Sequence, residues 1–552
     1  MPDDLFKISG GYVYDPLHGI DGQVRDLWIQ NGQMISPPSD PNVRPTRTLN
    51  AAGLVIMPGG IDMHCHIAGP KVNAARKLRP EEKRHAVVPR TAITHSGTLG
   101  SVPSTFATGY KYLGLGYTTA FDAAVPPLAA RHAHEEFEDT PAIDKGFFVL
   151  MGNNHYVMQA IHDQEPERLK GFVAWLLNAA KGYAVKLVNP GGVEVWKCHA
   201  SGNVSGLDDN VDYFDVTPRQ IMREMARTVD ELKLPHAVHI HGNNLGMPGN
   251  WQTTLETMQA LEGHRGHLTH IQFHSYGGGE GDETTFNSKV QPLADYVNQH
   301  PNLTVDVGQV LFGKTTSMTG DGPLGYYLHK IYGTKWFSSD VEMEAGCGIA
   351  PIEYRNKSLV HAWQWAIGLE WYLQVQDPWR VAMSTDHPNG GSFLAYPQII
   401  RLLMDREYRR EVLKTVHPRV AEGSVLKDLD RQYTLNEIAI ITRAGPAKIL
   451  GLKHKGHLGP GADADITIYT PHENKETMFE LPRYVIKAGR ILVEEGEIRE
   501  VPDGKTLHVA PAYDPAVEDS IREWFERCYS VSFRNYPVAD DYLHGNQLVA
   551  CQ

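Results

Sequence analysis

The stretch "PGGIDMHCHIAGP" (58–70) sets His64 and His66 two residues apart, directly after the apolar run "GLVIMPGGI". Side chains alternate faces along a strand, so a strand here aims both imidazoles one way and turns Cys65 the other. Two imidazoles hold a divalent ion at ~2.0–2.1 Å, but a stable site takes further ligands. In a chain with 27 histidines the pair gains weight only if other strand ends supply them. They do. Lys186 lies among apolar residues in "AVKLVNPGG", His239 and His241 share a face in "HIHGNN", His270 and His274 stand in "THIQFHS", and Asp386 falls in "STDHP". A lysine pointing into an apolar interior is costly unless its charge is paired or removed. The bland alternatives are core histidines and a lysine reaching outward between helices. Neither explains why these groups recur at strand ends in order.

The elements that must position them are eight apolar runs, each ending in polar or glycine-rich residues: 54–66, 117–125, 146–154, 182–190, 236–244, 266–277, 303–310 and 380–388. Helical patterns such as "PERLKGFVAWLLNAAKG" and "TPRQIMREMARTVDELKL" separate several of them. Strand–helix alternation gives parallel strands, and eight of them predict a closed (β/α)₈ barrel of the TIM type over 58–430. An open doubly wound sheet is the competitor, but no G-x-G-x-x-G or Walker-type loop follows any strand. Two long connections, 67–116 and 311–379, leave the face of the barrel where active sites sit. Residues 1–57 alternate as short strands with an Asn31-Gly32 hairpin signal, and 431–505 end in three more strands. The two segments are expected to form one small β-rich domain from both chain ends. The tail, 506–552, is aromatic and irregular.

Composition excludes several functions. A formal charge of −13 disfavours nucleic acid as main partner. Five widely spaced cysteines without a C-x-x-C rule out a disulfide framework and the usual iron–sulfur spacings. No signal-like N-terminus and no apolar run of ~18–20 residues is present, so no membrane insertion and a cytoplasmic location are expected.

The ordered set of ligands resembles the amidohydrolase superfamily. The likeness implies a two-metal site in which His64, His66, a carboxylated Lys186, His241, His270 and Asp386 are the ligands. His239 and His274 are the alternatives at strands five and six. "HIAGPKVNAARKLRPEE", "VKLVNPGGVEVW", "THIQFHSYG" and "STDHPNGGSF" further resemble the family of the A-type formylmethanofuran dehydrogenase subunits, which includes the alpha subunit of the bacterial formyltransferase/hydrolase complex. That resemblance spans nearly the whole chain. It implies hydrolysis of the N-formyl amide of a methanofuran-like one-carbon carrier to formate and free amine, with two divalent ions (zinc favoured) and a carbamate on Lys186. Asp386 would shuttle the proton, and the other subunits of such a complex would be the partners. Asn189, Asn243, Asn244 and Asn389, at the ends of ligand-bearing strands, are candidates for orienting the formyl group, with turn formation as their other reading. Alternative functions are the catalytic subunit of a redox formylmethanofuran dehydrogenase, a free-standing cyclic amidohydrolase or deacetylase, and a metal-free scaffold subunit.

Overall fold

The computed structural model describes residues 5–198, 204–279, 282–339, 347–543 and 545–552. Part of the second long connection, 340–346, lies outside the described residues.

Eight parallel strands follow one another around a barrel: Gly60–Cys65, Tyr117–Val125, Asp144–Leu150, Ala184–Val188, Val238–His241, Gly266–Leu268, Leu303–Asp306 and Val381–Ala382. Each pairs with the next in register. The last strand meets the first through a parallel bridge between Cys65 and His387, where the His66 N–H donates to the His387 carbonyl at 2.7 Å. The barrel is therefore nearly closed. Its outer helices form for ordinary reasons. In Pro218–Glu231, Thr217 and Gln220 make a capping box, and Ile221, Met222, Met225, Ala226 and Val229 repeat at helical spacing and are buried.

The small domain is a nine-stranded sheet built from both ends of the chain. Val55–Pro58 sits at its centre, between Leu5–Asp15 and Ile466–Tyr469. Asn31 and Gly32 have φ of 51° and 79°, the left-handed pair that a tight hairpin between Ile20–Gln30 and Gln33–Ile35 requires. The chain passes from this sheet into the barrel at Gly59–Gly60. A Cβ on Gly59 would lie 2.3 Å from Thr118 Oγ1, so only glycine lets the two sheets meet this closely. Phe6, Ile8, Val13, Ile29, Ile56, Ile466 and Ile486 make this domain's core. The helices within 435–450, grouped with that domain on sequence, instead bury Ile438, Ile441, Ala447 and Leu450 in the barrel core. An ionic cluster joins domain and barrel: Lys455 Nζ lies 2.6 Å from Asp144, 2.9 Å from Asp465 and 3.0 Å from Asp463, and Lys487 Nζ lies 2.7 Å from Asp144.

The tail is ordered onto the barrel. Thr506–His508 pairs beside Asp144–Leu150, Asn546–Leu548 adds to it, and Val517–Cys528 lays Phe525 edge-on against Trp175. The second long connection forms a cap. An antiparallel sheet of Gly313–Thr319, Phe337–Ser339 and Cys347–Tyr354 carries a helix, Gly322–Tyr332. Most of the connection's other aromatics, among them Trp365, Trp371 and Tyr372, are buried along Leu359–Gln374. Among the described residues no helix is long and apolar enough to cross a membrane.

Candidate metal centre

A cavity of about 620 Å³ opens at the C-terminal ends of the barrel strands, with the cap as one wall. His64, His66, Lys186, His241, His270 and Asp386 all line it, as does Asn389. Six candidate ligands, spread over 322 positions of sequence, thus converge on one space.

The two opening histidines share one carboxylate. His64 Nε2 and His66 Nε2 each lie 3.0 Å from Asp386 Oδ1, and Cys65, on the opposite face, donates its thiol to the Phe121 carbonyl at 3.2 Å. These three groups approach closely enough to hold one ion, and all are buried. His64 is held from behind. Its Nδ1 lies 3.0 Å from Asp306 Oδ2, and Asp306 also contacts His267 Nε2 at 3.1 Å, accepts from Thr269 Oγ1 at 2.7 Å and from the His270 N–H at 2.9 Å. Burial pushes the His64 ring down, but Asp306 and Asp386 outweigh it and raise it to about 9. The two buried carboxylates demand positive charge at this imidazole. A divalent ion beside Nε2 would meet the same demand.

His66 is oriented by a lysine. Lys71 Nζ lies 3.1 Å from His66 Nδ1, donates to the Ala124 carbonyl and sits 3.8 Å from Asp122. Asp122 in turn accepts from the Ile67 and Ala68 N–H groups at 2.8 and 3.0 Å. Burial alone would raise the Asp122 carboxyl, but Lys71 and His66 hold it at about 2.

Lys186 Nζ is buried and, among the described residues, has no hydrogen-bond partner. Loss of hydration pulls its amine down to about 7, against the opposing pull of Asp306 and Asp386. The neutral amine is the form that adds carbon dioxide, and a carbamate would turn an unsatisfied base into an anionic oxygen donor. His270 Nδ1 is likewise buried without a partner among the described residues. Gly308, with φ 65°, lets its loop press on that residue: a Cβ there would lie 2.8 Å from the His270 Cα. The donor set and its unsatisfied atoms fit divalent ions.

Of the alternatives, His239 does not line the cavity. Its ring lies deeper in the barrel, with Nε2 3.2 Å from His64 Nδ1 and Nδ1 2.9 Å from His236 Nε2. His274 is also off the cavity wall, stacked behind His270 at 5.4 Å. Three of the four asparagines lie off the cavity wall and are tied to neighbouring groups. Asn189, at φ 43°, donates to Asp321; Asn243 donates to Asn189 Oδ1 and the Pro190 carbonyl; Asn244, at φ 60°, donates to the Ser205 carbonyl. These amides hydrogen-bond one another, a carboxylate and loop carbonyls at the strand ends. Only Asn389 lines the cavity, and its amide donates to Asp386 Oδ1 at 2.9 Å.

Sequence reasoning missed Lys71, Asp122, Asp306 and Asp321. A signal existed for Asp306, a lone acid ending the apolar run "LTVDVGQV", and for Lys71, inside the singled-out "HIAGPKVN".

The barrel, its composite partner domain and this ring of candidate ligands go with one class: the chain belongs to the amidohydrolase family, whose pattern matches residues 47–493. Within that class two curated proteins match over nearly the full length. Protein FwdA of Methanocaldococcus jannaschii is 45% identical over 99% of this chain and 98% of its own. The A-type subunit of the formyltransferase/hydrolase complex Fhc of Methylorubrum extorquens is 36% identical over 97% of each. Among solved structures, the X-ray crystal structure of the formyltransferase/hydrolase complex (FhcABCD) from Methylorubrum extorquens in complex with methylofuran superposes with a TM-score of 0.93 at 36% identity, covering 99% of this chain and 100% of the matched one.

Proposed function

We propose that this protein is an enzyme that hydrolyses the N-formyl amide of a methanofuran-like one-carbon carrier, releasing formate and the free amine. In this reading it works as one component of a formyltransferase/hydrolase complex. The observation that carries the reading is the convergence of His64, His66, Lys186, His241, His270 and Asp386 on one cavity, in a chain alike over its full length to the A-type subunit of Fhc.

His64, His66, His241, His270, Asp386 and a carboxylated Lys186 would together hold the divalent ions. Nitrogen and carboxylate donors suit zinc. Bound there, the ions supply Lewis-acid polarisation of the formyl oxygen and a lowered pKa for the attacking water. The chain's own groups do the rest. Asp386 Oδ1 carries the contacts to His64, His66 and Asn389, so Oδ2 is assigned the proton. It accepts that proton from water as the new C–O bond forms and returns it to the amine nitrogen as the C–N bond breaks. Asp306 and Lys71 keep the imidazoles of His64 and His66 in place, and the cap forms one wall of the cavity.

The test is formate release from an N-formyl amine carrier by the zinc-loaded chain. Asp386→Ala is expected to abolish it while leaving the far-ultraviolet circular dichroism unchanged, and wild-type rates in that variant would refute the assignment. A second reading keeps the same site within a redox formylmethanofuran dehydrogenase. The sequence resemblance to the A-type formylmethanofuran dehydrogenase subunits motivates it, and isolation of the native complex separates the two. Partner chains carrying molybdenum or tungsten and iron–sulfur clusters would support the redox assembly, and a formyltransferase partner the hydrolytic one.

A further inference from the structure

Asp321 is buried at the start of the cap helix Gly322–Tyr332 and looks two ways. As the N-cap residue it accepts the Leu324 N–H on Oδ1 at 3.3 Å, and the same oxygen accepts the Asn189 amide at 3.2 Å. Its Oδ2 lies 3.2 Å from His241 Nε2. An N-cap carboxylate on a protein surface gives its second oxygen to water. Here that oxygen is spent inside the molecule, on an imidazole that lines the cavity.

We propose that Asp321 is a positioning residue that ties the cap to the metal centre, one carboxylate both capping the helix and fixing the ring of His241. The inference rests on the reading of His241 as a ligand. Its chemistry is that of acceptors. Three donors converge on this side chain, and an ionised carboxylate is the one side chain of this size that accepts at both ends. Accepting from Nε2–H sets the tautomer of His241 and leaves the lone pair on Nδ1 for an ion, the arrangement in which a carboxylate orients a metal-bound histidine. Capping satisfies one of the orphan N–H groups of the helix. Order in the cap and affinity at His241 therefore strengthen each other. By linkage, an ion that binds through His241 must also protect the cap.

The opposite side of the cap is pinned as well. The Met318 N–H donates to Asn389 Oδ1 at 2.6 Å, Tyr354 donates its hydroxyl to the Asn389 carbonyl at 3.0 Å, and Asn389 reaches Asp386. The cap thus touches the ring of ligands at both its histidine and its aspartate side. Asp321 is the contact that reaches a candidate ligand directly.

Asparagine and serine separate the two jobs. Each caps a helix about as well as aspartate. The amide introduced by Asp321→Asn would turn a donor toward His241 Nε2 and force the ring's proton to Nδ1, and the hydroxyl introduced by Asp321→Ser is too short to reach the ring. The metal-free full-length chain and both variants are titrated with zinc against a competing chelator. Amide exchange of residues 320–332 is followed with and without zinc. In the wild type zinc should slow exchange across the cap helix. In both variants the more weakly held zinc should bind about 10–100-fold more weakly. The zinc-dependent protection should disappear, while exchange without zinc stays as in the wild type. Wild-type zinc affinity in Asp321→Asn, or zinc protection that persists there, overturns the inference, as does a loss seen only in Asp321→Ala, which removes the cap as well. A wild-type chain that takes up no zinc overturns the metal reading itself, and the inference with it.

Discussion

Lys455→Met removes one ammonium from the ionic cluster beneath the barrel, far from the cavity. Two lysines there face three carboxylates, Asp144, Asp463 and Asp465, and after the change one lysine faces three. Methionine keeps the length and apolar body of the side chain, so packing changes little. Breaking a buried pair by deleting one partner costs roughly 3–5 kcal/mol. Lys487 remains 2.7 Å from Asp144 and 3.5 Å from Asp465, which points to the lower end, about 3 kcal/mol or a hundredfold in the folding equilibrium. The loss carries a pH signature. Burial alone would raise the Asp144 and Asp465 carboxyls, but the two lysines hold both below the usual carboxylate range. Such groups contribute stability above their unfolded values, near 4, that is lost as pH falls. The variant gives up much of that contribution, so its deficit is largest at neutral pH and shrinks on acidification through the carboxylate range. Denaturant unfolding at pH 7 and near pH 3 measures the difference. Amide exchange should place the loosening in Asp144–Leu150, Ile466–Tyr469 and Tyr484–Lys487. A deficit under 1 kcal/mol, or one that is equal at both pH values, would refute the account of this cluster as the electrostatic joint between domain and barrel.

Asp306→Asn should weaken zinc binding by about 10–100-fold, because one of the four groups now accepted by the carboxylate must face a donor instead; unchanged chelator competition would count against it. Zinc uptake by the wild type should rise with added bicarbonate, whereas Lys186→Ala should bind less metal and show no bicarbonate response in elemental analysis. His134 is buried with its ring Nε2 2.9 Å from the Ala180 carbonyl, and burial holds it at about 4. Unfolding releases it to an ordinary value near 6.5, so the unfolded chain binds the extra proton between pH 6.5 and 4 and stability falls as pH drops through that window. His134→Gln should flatten this slope, recovering roughly 3 kcal/mol of pH dependence at most, and an identical stability-versus-pH curve would rule out His134 as a contributor.

The barrel is legible because each strand is an apolar run with a polar end, and a period-2 or continuous apolar pattern survives without knowledge of the partner strand. The candidate ligands are legible for the same reason, since they stand at those ends. What sequence hides are the groups that act across space. Asp306 contacts His64 over 242 positions and Asp321 contacts His241 over 80, with no local pattern to link either pair. Lys71 reaches back to His66 only because Pro70–Leu78 turns helical at once, which places the lysine beneath the ring. Asn189 and Asn244 adopt left-handed turns at strand ends, where turn-forming and substrate-orienting residues occupy the same positions in sequence. The tail reads as irregular because its strands are three residues long and draw their pairing from the barrel. In the last barrel strand the run 380–388 shrinks to Val381–Ala382, with the remaining residues spent on placing Asp386.

The seat of Val55–Pro58 at the centre of the small sheet has a consequence for how the protein is made. One neighbour, Leu5–Asp15, emerges from the ribosome before it, but the other, Ile466–Tyr469, follows roughly 400 residues later. At about 5–20 residues per second that is a wait of about 20–80 s. Throughout it, four apolar residues that end up fully buried keep one edge unpaired. The nascent chain thus carries an open strand edge next to the first two candidate ligands for most of its synthesis, a natural landing place for a chaperone. Slowing translation over the last hundred codons should raise aggregation of this chain more than slowing it over the first hundred.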